Sequence, residues 1–168
     1  MHIKHAKRHA SLVGYMSVNN EVRQCCRSLR PSLFMGRLTE AIIMEGVKVL
    51  ELNGKEISDF STVERLSSVE ELYLRNNKIS SLKPLRKLSE IKELFLENNE
   101  ISNIHELRHL SGLKGLEILR LNGNPCTKAD GYRLSVIRAI PSLIMLDDTA
   151  VSSQEREESK SAKVLLDL

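Results

Sequence analysis

Aromatic residues are scarce in this sequence. They make up 4% of the chain, and tryptophan is absent. An aromatic side chain on an open surface would therefore be unusual here and would mark a binding site. No apolar stretch approaches the roughly 20 residues of a membrane-spanning helix, so we expect no membrane insertion.

Cysteines are also few, and charge of one sign does not dominate. The three cysteines are Cys25, Cys26 and Cys126, with no C-x-x-C spacing. An odd count without a framework indicates a reducing compartment. The net charge is +3, from 25 basic and 22 acidic residues. This balance argues against direct nucleic-acid binding, so we expect nucleic acid to be contacted only indirectly, if at all.

Residues 1–37 differ from the rest of the chain because their charge is almost all basic. The only acidic residue in this leader is Glu21, and it lacks the sustained apolar region of a secretory signal. Its composition fits either a mitochondrial transit peptide or a leader without packed structure. We favour the second and expect the folded domain to span residues 38–150.

The main feature of the sequence is an internal repeat of the pattern L-x-x-L-x-L-x-x-N-x-I. The four units begin 22, 22 and then 25 residues apart, at Val47, Val69, Ile91 and Leu116. The asparagine slot holds Asn77, Asn99 and Asn124, whereas the first unit has Lys55 there. A single unit cannot bury its apolar side alone, so the units must stack on one another.

The spacing within each unit predicts its local structure. The alternating L-x-L residues point to one face of a short strand. The apolar residues between strands recur every third position, as a 3₁₀ or short helical path requires. We therefore predict an α/β leucine-rich-repeat solenoid, with parallel strands on the concave face and short helices on the convex face. A short helix over residues 38–45 would close the first end.

After Asn124 the repeat gives way to a predicted helical cap. Val136, Ile137 and Ile140 share one helical face, and Pro141 ends that helix. Beyond it, residues 151–168 form a short tail. Ser152 and Glu155 have the spacing of a capping box, which predicts a helix start there, with a fraying terminus as the alternative.

These units resemble leucine-rich repeats of the phosphatase-regulator type, and the cap resembles the C-terminal cap of that class, over residues 38–157. The ciliary family of cilia- and flagella-associated protein four-hundred-ten is similar in Leu72-Tyr73-Leu74-Arg75, in the 25-residue interval and in Asn124-Pro125-Cys126. The spliceosomal A-prime family is similar in that interval and in Tyr132-Arg133-Leu134-x-Val136-Ile137. The first resemblance implies a role in the cytoplasm at a cilium, flagellum or basal body. The alternatives are a nuclear ribonucleoprotein adaptor and a phosphatase regulator.

The concave face is the predicted binding surface for a helix or peptide of a protein partner. Residues beside the buried leucines point outwards, and neighbouring parallel strands would stack Tyr73 on Phe95. We expect this aromatic pair to be exposed within an acidic surrounding. The candidate partner-binding residues are Glu51, Glu71, Tyr73, Arg75, Glu93, Phe95, Glu97 and Arg120.

No catalytic or cofactor motif is present, so we expect a monomeric, non-enzymatic scaffold that needs no cofactor. His105 and His109 have helical metal-ligand spacing, but the neighbouring leucines place them on the convex side without a complete ligand set. Cys126 falls where the repeat places a buried isoleucine, so we expect a core residue and not a reactive thiol.

Overall fold

The computed structural model describes residues 47–61, 66 and 68–161. They form a single sheet in which six short strands lie in chain order. The strands are β1 (Val49–Glu51), β2 (Glu71–Tyr73), β3 (Glu93–Phe95), β4 (Ile118–Arg120), β5 (Met145–Leu146) and β6 (Thr149–Ala150). The first five pair in parallel, and β6 returns antiparallel to β5.

The strand register follows the repeat period. Leu50, Leu72, Leu94 and Leu119 are paired neighbours across the sheet. Each of them is buried, and each is flanked on its strand by residues on the opposite face. This confirms the predicted leucine-rich-repeat solenoid with parallel strands.

The return segments on the other side contain 3₁₀ helices, as the three-residue spacing predicts. They span Lys83–Lys87, Ile104–Leu110 and Pro125–Lys128. In the second of these, Ile104, Leu107 and Leu110 face the core at every third position. The added triplet of the 25-residue interval therefore lengthens a convex helix and leaves the strand register intact.

Buried Asn77, Asn99 and Asn124 form an asparagine ladder that joins consecutive repeats. The Asn99 Oδ1 accepts a hydrogen bond from Ile79 N at 3.0 Å, and its Nδ2 donates to the carbonyl oxygens of Leu74 and Leu96, both at 2.9 Å. Asn77 and Asn124 make the equivalent bonds one repeat earlier and one later. Each side chain thus satisfies buried backbone groups of two adjacent turns.

The end of the sheet is covered by helix α1 (Tyr132–Ala139), as predicted. Val136, Ile137 and Ile140 are buried against the last repeat, and Leu143 and Leu146 add a final half-repeat to the core. Beyond the last asparagine of the ladder, Asp147 bonds the preceding turn to the cap. Its Oδ1 accepts a hydrogen bond from Leu121 N, and its Oδ2 accepts one from the Tyr132 hydroxyl at 2.7 Å.

Helix α2 (Ser153–Ser161) packs on α1 and is held by side-chain hydrogen bonds. Its capping box is present: Ser152 N donates to Glu155 Oε2 at 2.9 Å, and Glu155 N donates to Ser152 Oγ at 3.2 Å. Arg133 on α1 pairs with Glu155 at 2.5 Å and donates to the Leu146 and Ala150 carbonyls. Arg156 donates to the carbonyls of Pro141 and Leu143. The start of the tail is therefore a packed helix.

The predicted leader over residues 1–37 and the closing helix over residues 38–45 lie outside the described residues. The domain boundaries at residues 38 and 150 remain predictions. No helix among the described residues is long and apolar enough to span a membrane.

Candidate protein-binding face

Three rows of side chains cross the concave face of the sheet. The leading row precedes the buried leucines and holds Val49, Glu71, Glu93, Ile118 and Met145. The middle row follows them and holds Glu51, Tyr73, Phe95 and Arg120. The trailing row lies two residues further on and holds Asn53, Arg75, Glu97 and Asn122. All eight predicted partner-binding residues belong to these rows, because strand alternation turns them away from the core.

Tyr73 and Phe95 stack in the centre of the face. Their ring centroids are 4.4 Å apart, and the rings are within 5° of parallel. The prediction that both are exposed is wrong, since Tyr73 is half-buried and Phe95 is only 5% exposed. Phe95 nevertheless lies outside the core cluster of the solenoid. It is buried by its neighbours on the face.

Those neighbours include the guanidinium groups of Arg75 and Arg120. The Arg75 Cζ lies 4.8 Å from the Phe95 ring centre and 5.6 Å from that of Tyr73, and the Arg120 Cζ lies 5.4 Å from that of Phe95. Such cation–π contacts add to stacking when the groups are desolvated. The centre of the face is thus a preformed aromatic and guanidinium layer.

The charges of these arginines are largely matched within the face. Glu97 Oε1 lies 3.0 Å from Arg75 Nε and 3.9 Å from Arg120 Nη1. Arg120 Nη1 also contacts Asp148 Oδ1 at 2.7 Å. Asp148 was missed from the sequence because it lies in the β5–β6 turn, where the repeat pattern no longer applies.

The leading row carries two half-buried carboxylates. Glu71 Oε2 accepts a hydrogen bond from the Tyr73 hydroxyl at 3.0 Å. Burial raises the pKa of Glu93, and the nearby charges of Glu71 and Glu117 raise it further, while Arg120 lowers it. Concentrated negative charge is therefore present at this edge of the face.

A chain of ion pairs runs beside the leading row and was also missed. Glu70 contacts Lys48 at 2.7 Å and Lys92 at 2.6 Å, and these contacts lower the pKa of Glu70 to about 2. The three residues occupy the same position of successive 22-residue units. Aligning that column for alternating charge would have identified them from sequence.

The remaining candidates from the sequence are the histidine pair His105 and His109 and the thiol of Cys126. His109 Nε2 lies 4.0 Å from Glu106 Oε1, and His105 is exposed. Within the part of the chain that the structure describes, no group of three or more His, Cys, Asp or Glu residues is placed to hold a metal ion. Cys126 is 1% exposed, as predicted, and burial raises the pKa of its thiol to about 11.

The family of this fold follows from comparison with known proteins. A family model described as "Leucine-rich repeat" matches residues 42–164, which is most of the chain. The chain belongs to the leucine-rich-repeat family. Leucine-rich-repeat domains in general bind protein partners, and binding through the concave face is a general property of such domains.

Two curated relatives match short parts of this leucine-rich-repeat protein. Dynein axonemal assembly factor 11 of Trypanosoma brucei brucei is 48% identical over 48 residues, which are 29% of this chain and 12% of the relative. Leucine-rich repeat-containing protein 46 of Rattus norvegicus is 49% identical over 49 residues, 28% of this chain and 15% of the relative. The chain thus spans well under two thirds of the length of either relative.

Solved structures agree on the fold. A chain of the Drosophila melanogaster SNF/U2A' complex superposes with a TM-score of 0.59 at 20% identity, covering 80% of this chain and 93% of that chain. A Leptospira interrogans LRR protein superposes with a TM-score of 0.55 at 25% identity, covering 65% of this chain and 27% of that chain. The first of these similarities, at such low identity, establishes the fold alone.

Proposed function

We propose that this protein is a non-enzymatic interaction module that binds a helix or peptide of a partner protein on its concave face, in the assembly of a cilium or flagellum. The observation that carries the binding role is the ordered layer of Tyr73, Phe95, Arg75 and Arg120 on that face. Aromatic and arginine side chains held rigid before binding lose little conformational entropy when a partner arrives.

The ciliary role is supported by the name of one relative, an axonemal assembly factor, and by the resemblance of Asn124-Pro125-Cys126 and of Leu72-Tyr73-Leu74-Arg75. Both similarities cover only short segments of the chain, so they support a proposal about where the protein acts but do not identify its partner. We place the protein in the cytoplasm at the cilium or flagellum on this basis.

Proximity labelling in ciliated cells tests the proposal. The full chain fused to a labelling enzyme should mark ciliary or dynein-assembly proteins, and the variant Tyr73→Ala plus Phe95→Ala should lose most of them. The exposed convex variant Lys83→Ala plus Arg86→Ala is the control and should keep them. An unchanged set of neighbours in the aromatic variant would contradict binding through this face.

A ribonucleoprotein adaptor remains the alternative from the cap residues. It predicts that the purified chain binds RNA through phosphate contacts, with an affinity that falls steeply as the salt concentration rises. A labelled set dominated by RNA-processing proteins, together with salt-sensitive RNA binding, would favour this alternative over the ciliary role.

A further inference from the structure

The leading row of the concave face divides into an acidic half and an apolar half. Glu71 and Glu93 are paired neighbours on β2 and β3, and Ile118 and Met145 are paired neighbours on β4 and β5. All four side chains are half-buried, so each keeps part of its surface open to solvent.

The acidic half differs from the other carboxylates of the sheet because its charge is not matched. Glu70 is paired with two lysines, and Glu97 lies between two arginines. Among the described residues, by contrast, no basic side chain forms an ion pair with Glu71 or Glu93. The raised pKa of Glu93 has the same origin, since burial and two neighbouring carboxylates oppose its ionisation.

The apolar half lies on β4 and β5, next to the last strand of the sheet. Ile144 precedes Met145 and is 55% exposed, the one large apolar side chain classed as exposed among the described residues. Ile144 occupies the same repeat position as Lys92 and Glu117, beside the leading row. The apolar surface of the row itself comes from the half-buried Ile118 and Met145, whose open parts water solvates poorly. A second contact of different chemistry therefore lies beside the carboxylates.

The distance between the two halves favours a helix over an extended peptide. The midpoint of the glutamate pair and that of the Ile118–Met145 pair are two strand spacings apart, or about 10 Å. Residues seven apart on one face of an α-helix are separated by about 10.5 Å. Residues on one face of an extended strand recur at about 7 and 13 Å, which matches less well.

We propose that the leading row receives an amphipathic α-helix of the partner that lies across the strands, with a lysine or arginine between Glu71 and Glu93 and an apolar residue seven positions away on Ile118 and Met145. This rests on the proposed function and adds the chemistry of the occupant. The cation would pair with the two carboxylates that lack an ion-pair partner, and the apolar side chain would cover the open surface of Ile118 and Met145.

A displayed library of 18-residue helices, randomised on one face and panned against the full chain, tests the proposal. Selected helices should be enriched in lysine or arginine at one position and in leucine, isoleucine or methionine seven positions away. A synthetic peptide of the dominant sequence then serves as the probe in fluorescence anisotropy. The absence of selected helices, or selection without basic residues, would overturn the proposal.

Charge variants of the protein complete the test. Glu71→Gln plus Glu93→Gln should weaken binding of the peptide by about tenfold or more and flatten its salt dependence. Glu90→Gln plus Glu100→Gln removes the same charge from exposed positions off the strands and should leave the affinity unchanged. Glu93→Lys should restore binding of a peptide whose basic residue is replaced by glutamate.

The two proposals fail in different ways. Binding that Tyr73→Ala weakens and Glu71→Gln plus Glu93→Gln does not would refute this inference and leave the proposed function standing. Binding that neither variant weakens would refute both. Thermal melting followed by circular dichroism shows that each variant is folded before its affinity is read.

Discussion

At the scale of the single residue, the asparagine ladder has the clearest energetic role. Asn99 is 5% exposed and satisfies the Ile79 N–H and the Leu74 and Leu96 carbonyls. Asn99→Ala would leave the Ile79 N–H buried without a partner, at about 1–3 kcal/mol, while the Leu74 and Leu96 carbonyls would keep the hydrogen bonds that they accept from Asn77 and Asn124 Nδ2. We expect a loss of about 1–3 kcal/mol in the free energy of unfolding, measured by urea denaturation.

Asn122 provides the matched control for this substitution. It is exposed and makes one side-chain hydrogen bond, to Asp148 at 3.1 Å. Asn122→Ala should cost less than about 1 kcal/mol. Equal losses for the two variants would show that the ladder is no more important than a surface contact.

At the scale of the element, helix α1 closes the apolar end of the solenoid. Ile137 is 2% exposed, so Ile137→Ala should lower the free energy of unfolding by about 2–5 kcal/mol. Ile144→Ala makes the same change at a side chain that is 55% exposed and should stay within about 0.5 kcal/mol of the wild type. A neutral Ile137→Ala would contradict the role of α1 as a cap.

Helix α2 is joined to α1 by a pair whose charge depends on pH. Arg133 and the capping-box bonds to Ser152 lower the pKa of Glu155 from 4.5 to about 2. Because the pKa is lower in the folded state, the stabilisation is complete above pH 4.5 and is lost as the pH falls through about 2. The difference in Tm between the wild type and Glu155→Gln should therefore be largest near neutral pH and shrink as the pH falls from 5 towards 2.

Glu70 also has a pKa lowered to about 2. Because Glu70 is present in both the wild type and Glu155→Gln, its effect cancels in the difference between their Tm values. Glu157→Gln is the control, because its ion pair with Lys160 is highly exposed. It should give a small difference in Tm that varies little over the same pH range. A Glu155→Gln difference that stays constant with pH would show that the Arg133 pair does not tie the two helices together.

At the scale of the whole molecule, the parts that follow a periodic pattern or a known motif could be predicted from sequence, and the contacts outside any pattern could not. The spacing of Val47, Val69 and Ile91 predicts the strand register, because each repeat must place the same residue beside its neighbour. The asparagine ladder and the buried face of α1 follow from the same periodic reasoning. The contacts of Arg133 and Asp148 lie beyond the last repeat, where no pattern indicates them.

The residues of the concave face could be predicted from the sequence, but the exposure of its aromatic side chains could not. Strand alternation is sufficient to place Tyr73 and Phe95 on it. Their exposure depends on the conformations of the Arg75 and Arg120 side chains, which the spacing of residues in the sequence does not specify. Because the arginines cover it, Phe95 is as buried as a core residue, so removing its ring should cost more stability than removing an exposed one.

The central claim is that this face binds the partner, and the affinity of the Tyr73→Ala variant tests it most directly. Tyr73 is half-buried and outside the core cluster, so its loss should lower the Tm only slightly. With a purified partner or selected helix, calorimetry should show a loss of about 2 kcal/mol in binding free energy, roughly thirtyfold in Kd. Lys83→Ala on the convex side should leave the Kd unchanged. An unchanged Kd for Tyr73→Ala in a protein that melts like the wild type would contradict the claim and place the partner on another face.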